Sequence, residues 1–171
     1  MRILRWLGVA VVALVAIGAV AYATRSDPVG PIAGRQVTGE IVSTPVSDWT
    51  FTDEHMTIAL ETRPAKPHSV TTVCFTHEGA LYVPAQQGAS KSWTHYAVSD
   101  PRVRLKIGDK VYPARATRVT DSSLAPALRA AASEKYDFDA GDDDPDLEDI
   151  WVFRLDPSPS DVAGAPPESS R

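Results

Sequence analysis

The chain has 171 residues, a formal net charge of −5 and a single cysteine. That length holds one globular domain plus extensions. No basic excess or Lys/Arg-rich face is present, which argues against a nucleic-acid partner. The lone Cys74 excludes an internal disulfide and any multi-cysteine metal site.

From Trp6 to Ala23 no residue is charged, and Leu, Val, Ile and Ala dominate. A run of about 18 to 20 apolar residues is enough to cross the hydrocarbon core. Arg2 and Arg5 precede it and Arg25 alone follows closely. This asymmetry predicts one transmembrane helix in a bacterial inner membrane, with the amino terminus inside and the domain outside the cytoplasm. Ala21-Tyr22-Ala23 also fits a signal-peptide cleavage pattern, after which the domain would be secreted or periplasmic. The apolar run exceeds the roughly 7 to 15 residues of a signal core, which favours the uncleaved anchor. Residues 25–39, with Pro28, Gly30, Pro31 and Gly34, read as a linker. Residues 157–171, rich in Pro, Ser, Ala and Gly without periodicity, read as a disordered tail. The folded domain is expected over 40–156.

Within it strand signals dominate. Glu40-Ile41-Val42 is a short first strand. Met56 to Thr62 alternates, with Met56, Ile58 and Leu60 on one face. Ser69 to Phe75 and Ala80 to Val83 are β-rich runs joined through Thr76-His77-Glu78-Gly79. Cys74 falls in the first of these and reads as a buried, inert thiol. A helix is expected from Lys91 to about Val98, with Ser90 as its N-cap and Asp100-Pro101 as its stop. Arg102 to Ile107 alternates so that Val103, Leu105 and Ile107 face inward while Arg102, Arg104 and Lys106 face water. Gly108-Asp109 closes a tight hairpin onto Lys110 to Val119, where Pro113 marks an edge or bulge. Leu124 to Lys135 is helical, and Ile150 to Leu155 is a last strand. The expected fold is mainly β: a closed or nearly closed barrel of about six strands with short helices, preceded by the transmembrane helix.

A helix start leaves backbone N–H groups unpaired and carries partial positive charge, so it attracts anions. Lys91 adds a full charge, and Ser90 and Ser92 add hydroxyl donors. On these residues alone an ordinary capped surface helix, with Trp93, Tyr96 and Ala97 packed inward, stands as the alternative. The preceding loop, Ala85-Gln86-Gln87-Gly88-Ala89, is small and polar enough to let a flat ligand approach.

Pro67 to Asp121 resembles the flavin-binding split β-barrel proteins of the pyridoxamine 5'-phosphate oxidase-like superfamily, including the deazaflavin-dependent nitroreductase-like branch. The resemblance rests on Pro67-His68-Ser69-Val70, Glu78-Gly79-Ala80-Leu81-Tyr82-Val83, Ser90-Lys91-Ser92-Trp93 and the run from Asp100 to Tyr112. It covers about a third of the chain. It implies an oxidoreductase that binds FMN or a deazaflavin and acts on a small-molecule substrate, working as a homodimer with the cofactor at the subunit interface. By the same resemblance the cofactor phosphate meets Lys91, Ser90, Ser69 and Thr71, the ring system lies against Val83, Pro84 and Ala85, and Trp93 belongs to the same segment. The sequence departs from the family pattern in lacking an arginine on the Ser69–Thr72 strand; Arg63 is the nearest substitute in the chain. A second reading keeps the barrel but not the chemistry: a non-enzymatic ligand- or partner-binding module with a degenerate cofactor site.

Other clusters carry less. Trp49 and Phe51 form an aromatic pair at strand spacing that covers one barrel end. His55, His68, His77 and His95 lack paired ligand spacing, so no metal is expected. Asp137 to Asp149 is strongly acidic, but Gly141 and Asp142 reverse the order a calcium loop requires and Pro145 interrupts it.

Overall fold

The structure is a computed structural model that describes residues 12–18, 20, 26–138 and 149–158. The strands are β1 (Glu40–Ile41), β2 (Ile58–Thr62), β3 (His68–Thr72), β4 (Phe75–His77), β5 (Ala80–Ala85), β6 (Arg102–Ile107), β7 (Lys110–Val119) and β8 (Trp151–Pro157); the helices are α1 (Ser92–Ser99) and α2 (Ala125–Tyr136). They form one sheet of eight strands, ordered β3-β2-β6-β7-β8-β5-β4, with β1 added in parallel to the start of β7. The first and last strands of this path, β3 and β4, are consecutive in sequence and separated only by Val73 and Cys74. The sheet therefore curls until its two ends meet at one corner, a split barrel rather than a continuous closed one. Eight strands stand where about six were expected: the Ser69–Phe75 run breaks at Val73 into β3 and β4, and the hairpin loop after β4 shrinks to Glu78-Gly79. Both turn residues have positive φ, 51° and 74°, which suits a tight two-residue connection.

Tyr136, at the end of α2, closes the seam. Its hydroxyl accepts from the Cys74 backbone N–H at 3.1 Å and lies 2.7 Å from the Cys74 carbonyl and 3.0 Å from that of Met56. One side-chain oxygen thus serves both backbone groups of Cys74, in the break between β3 and β4, and the Met56 carbonyl ahead of β2.

Inside the curl lies a core of Leu60, Leu81, Val83, Val103, Leu105, Ala114, Phe153 and Leu155, all at most 3% exposed. The alternation of β6 supplies Val103, Leu105 and Ile107 to it, as the sequence pattern demands. Helix α1 plugs one mouth with Trp93, Thr94 and Ala97. Helix α2 covers the outside of β4 and β5, where Leu128 packs with Phe75 and Tyr82. Trp49 and Phe51 belong to a 3-10 turn (Thr50–Glu54), not a strand. Trp49 is buried in the core and Phe51 stacks on it at 5.9 Å, with Tyr112 completing the group.

The outer face departs from expectation at Arg104. It was expected in water with Arg102 and Lys106, yet it is 8% exposed. The reason is the segment after residue 25, which lies across this face. Gly34 bridges Ser69 through both backbone groups, Asp27 pairs with Lys106 at 2.6 Å and accepts from Thr38, and the Val37 N–H donates to Glu61 at 2.7 Å. Beneath this arm Glu61 receives Nε and Nη2 of Arg104. Register explains the pairing: Ser69, Glu61 and Arg104 stand directly across β3, β2 and β6, so their side chains share one face. Arg102 is also engaged, by Asp100 at 2.7 Å. Pro113, without an N–H, stands where the edge of β7 passes from β1 to β8.

Among the described residues no helix is long and apolar enough to cross a membrane. Residues 12–18 and 20 are helical, with Val12, Leu14, Val15, Ile17 and Val20 exposed; the rest of Trp6–Ala23 lies outside the described residues. So do 139–148 of the acidic stretch and 159–171 of the tail.

Candidate functional site

The start of α1 is built differently from its sequence expectation. Gln87 takes a left-handed conformation (φ 52°), a single 3-10 turn (Gly88–Ser90) follows, and the residue at the helix N-cap is Lys91. Ser90 does not cap: its hydroxyl donates back to the Gln87 carbonyl at 2.9 Å. Among the described residues no side chain caps the helix, so the N–H groups of its first turn have no side-chain acceptor there. The Thr94 hydroxyl lies 2.6 Å from both the Gly88 and Lys91 carbonyls, tying the turn to the helix. Ser90, Lys91 and Ser92 are all exposed. The result is an outward-facing row of hydroxyls, backbone donors and one ammonium group, an arrangement suited to an anion.

This turn is seated on Trp151. A β-carbon on Gly88 would come within 2.3 Å of the indole, so the backbone touches the ring at a distance only glycine permits. His95 packs its ring against Trp151 at 5.6 Å while its Nε2 meets the Ala89 carbonyl at 2.8 Å. The Arg118 guanidinium lies 3.5 Å over the indole. Pairing places Ala85 opposite Trp151, and Arg118 opposite Phe153. Trp151, Phe153 and Leu155 therefore share the inward face of β8, and Trp151 with Arg118 is where that face leaves the core and reaches the mouth of the barrel. Trp93 packs at a tilt against Phe153 just below, at 5.3 Å.

The eight expected site residues divide among three places. Ser90 and Lys91 stand at the mouth, with Ala85 close by through Trp151. Val83, Ala85 and Trp93 turn their side chains into the core, at 0, 4 and 6% exposure, so any ligand contact there comes from backbone. Pro84 faces the opposite, outer side of β5. Ser69 and Thr71 lie on the outer face of β3, since Val70 between them packs on the core. Ser69 is 0% exposed, and its hydroxyl is buried with no hydrogen-bond partner. One copy of the chain does not bring the β3 hydroxyls to Lys91. Arg63, the substitute charge, lies 4.3 Å over the Tyr96 ring, toward the other end of α1.

Sequence reasoning missed Gly88, Trp151 and Arg118. The inward alternation of the last strand marks Trp151 as a mouth residue, but Arg118 joins it only through the β7–β8 register, which no local pattern encodes.

Two titratable groups are set by burial. His68, edge-on to Tyr96 at 5.5 Å, is held below the ordinary imidazole value by burial first and by the Arg63 charge second. The Cys74 thiol is pushed up by burial, against the opposing pull of Lys135, whose Nζ is 3.7 Å away; a fully buried, protonated thiol is no nucleophile. Among the described residues no group of three or more His, Cys, Asp or Glu side chains is placed to hold a metal.

No protein-family model and no curated protein matches the chain. Solved structures do. A conserved hypothetical protein, Rv2991 from Mycobacterium tuberculosis, is similar over 70% of this chain and 89% of its own, at 15% identity and a TM-score of 0.51. HutZ, described as a heme storage protein from Vibrio cholerae, matches over 63% of this chain and 85% of its own, at 20% identity and a TM-score of 0.50. An F420-H2-dependent reductase matches over 60% and 95%, at 22% identity and a TM-score of 0.45. With strand order, seam and plugged mouth all in place, the chain shares its split-barrel fold with Rv2991 and HutZ.

Proposed function

We propose that this chain is a flavin- or deazaflavin-binding oxidoreductase domain, anchored at a membrane by its N-terminal apolar segment and working on a small molecule outside the cytoplasm. The observation that carries the reading is the start of α1: an exposed lysine beside first-turn N–H groups that no side chain caps, at the mouth of a split barrel. The fit is good at the phosphate end, where Lys91, Ser90, Ser92 and the backbone donors supply charge and hydrogen bonds. At the ring end the described residues supply the backbone of Val83 to Ala85. The bound group would supply hydride chemistry, while the protein binds, orients and excludes water. The β3 hydroxyls lie on another face, so a complete cradle requires residues from a second copy; a homodimer is part of the proposal.

Exposed apolar side chains on residues 12–18 and 20 support the anchor, because an uncovered apolar helix is stable only against lipid or protein. Washing membranes with high salt and alkali should leave the full-length protein bound. A mature protein beginning at Thr24, free in the extract, would replace the anchor with a cleaved signal.

The cofactor reading is tested by the visible spectrum of the purified domain before and after incubation with FMN or a deazaflavin. Absence of binding to either at high micromolar concentration ends it. The second reading, a non-enzymatic ligand-binding module, is favoured by the match to a heme storage protein. A spectrum that changes with haem and with neither flavin would decide for it.

A further inference from the structure

The sequence lacks the arginine expected on β3, which leaves Lys91 as the single recognised charge for a phosphate. We propose that Arg118, held flat on Trp151 at the mouth of the barrel, is the second cation of this site, and that the pair selects a phosphomonoester, the FMN type, over a deazaflavin whose phosphate is a diester. This rests on the cofactor reading above.

Three observations carry it. First, the Arg118 side chain is exposed, its guanidinium has no hydrogen bond or ion pair among the described residues, and it lies on the indole face. A guanidinium stacked on a ring keeps its N–H edges in the plane, free for an anion, while the stack restricts the side chain. Second, the same indole supports the Gly88 turn, and the Lys91 N–H bonds the Gly88 carbonyl at 3.3 Å. Trp151 thus positions both cations, one through stacking and one through the turn. Third, the Lys91 ammonium likewise has no anionic partner among the described residues. Two unneutralised cations and a helix start match a charge near −2, which a phosphomonoester carries at neutral pH because its second pKa is about 6. A diester has one charge fewer and leaves one cation unmatched.

The experiment is fluorescence titration of the full chain with FMN, riboflavin and a diester deazaflavin, in wild type, Arg118→Gln, Arg118→Lys and Lys110→Gln. Riboflavin has no phosphate, so the FMN-to-riboflavin affinity ratio isolates the phosphate contact. Wild type should prefer FMN to both others. Arg118→Gln should lower the ratio about tenfold, the size of one charge-assisted hydrogen bond, with riboflavin binding unchanged. Arg118→Lys, which keeps charge without the stacked fork, should restore only part of it. Lys110→Gln, at the far end of β7, should leave the ratio alone. An unchanged ratio in Arg118→Gln, or wild-type preference for the diester, overturns the proposal and leaves the cofactor reading standing. Failure of wild type to bind any of the three removes the cofactor reading, and this inference with it.

Discussion

Two polar regions of this molecule use charge in opposite ways. On the outer face, Ser69, Glu61 and Arg104 form a cross-strand row sealed under the arm, and the ionic members are bonded to one another or to backbone. At the barrel mouth, the Arg118 guanidinium is held on the Trp151 ring and the Lys91 backbone is fixed in the turn, yet neither cation is paired with an acid among the described residues. A buried charge is tolerated only when matched, because desolvation is otherwise too costly. An exposed charge that is held in place but left unmatched has been ordered without an internal electrostatic return. The first pattern marks architecture; the second is what the proposed ligand site rests on. Each predicts a separate response to mutation.

The largest effect is expected at the row. Arg104→Ala leaves Glu61, 2% exposed, as a buried carboxylate without its cation. Loss of one partner of such a pair costs about 3 to 5 kcal/mol. Urea unfolding should show it as a lowered midpoint, with the arm loosened because Val37 bonds the same carboxylate. The double variant Glu61→Met, Arg104→Met should recover part of the loss, since it removes both buried charges but leaves the buried Val37 N–H without its acceptor. If Arg104→Ala unfolds like wild type, the outer face is open to water and the arm does not seal it.

At the mouth the response should be in binding. On the proposed site, Lys91→Ala removes a charge-assisted contact worth about 1.5 to 3 kcal/mol, so FMN affinity should fall roughly tenfold to a hundredfold while the unfolding midpoint stays put. A variant that binds equally well moves the phosphate elsewhere. One that unfolds early would make Lys91 a structural residue and erase the contrast between the two regions.

How much of this was legible in the sequence follows from the range of the interactions. Period-2 alternation in β6 and the Gly108-Asp109 turn depend on neighbours within a few residues, and the structure has β6 and β7 with the expected bounds. The split character was legible only through family resemblance, because the seam between β3 and β4 depends on Tyr136, more than 60 positions away from Cys74 in the chain. Arg104 was misjudged for the same reason. Alternation tells which face of a strand a side chain takes, not whether a distant segment covers that face. The lysine and serine of the candidate site were visible as a motif, but Ser90 proved a turn-former instead of a cap. The ring that seats the turn, Trp151, and the arginine upon it, Arg118, come from two other strands joined by register.

The ion pair that fastens the arm ranks below both. Lys106 and Asp27 meet at 2.6 Å, but their side chains are 22% and 34% exposed, so solvent screens much of the attraction. Burial acts first to raise the Asp27 carboxyl, and the bonds from Lys106 and Thr38 outweigh it, leaving a net lowering. Lys106→Ala should cost no more than about 1 kcal/mol, and added salt should shrink the difference from wild type. A loss as large as that of Arg104→Ala would mean that the arm is held by this outer tie and not by the buried row.

The smallest expected effect tests the far end of α1, between the two regions. His68 sits against Tyr96 with its imidazole held below the ordinary value of 6.5, by burial and then by Arg63. A depressed folded-state value means that the folded protein binds fewer protons than the unfolded chain just below pH 6.5. The neutral imidazole therefore contributes its full stabilisation above pH 6.5, and this is lost as pH falls through the folded-state value. Thermal unfolding followed between pH 8 and pH 5 should show a decline in wild type that His68→Gln flattens. Because the ring is only half-buried, the slope should be shallow, and FMN binding at pH 7.5 should be the same in both proteins. A His68→Gln variant with an unaltered slope would assign the acid sensitivity to other groups. One with weakened FMN binding would extend the ligand site from the Lys91 end of α1 along to Tyr96, where Arg63 waits over the ring, and would return to that arginine the role that the sequence first suggested for it.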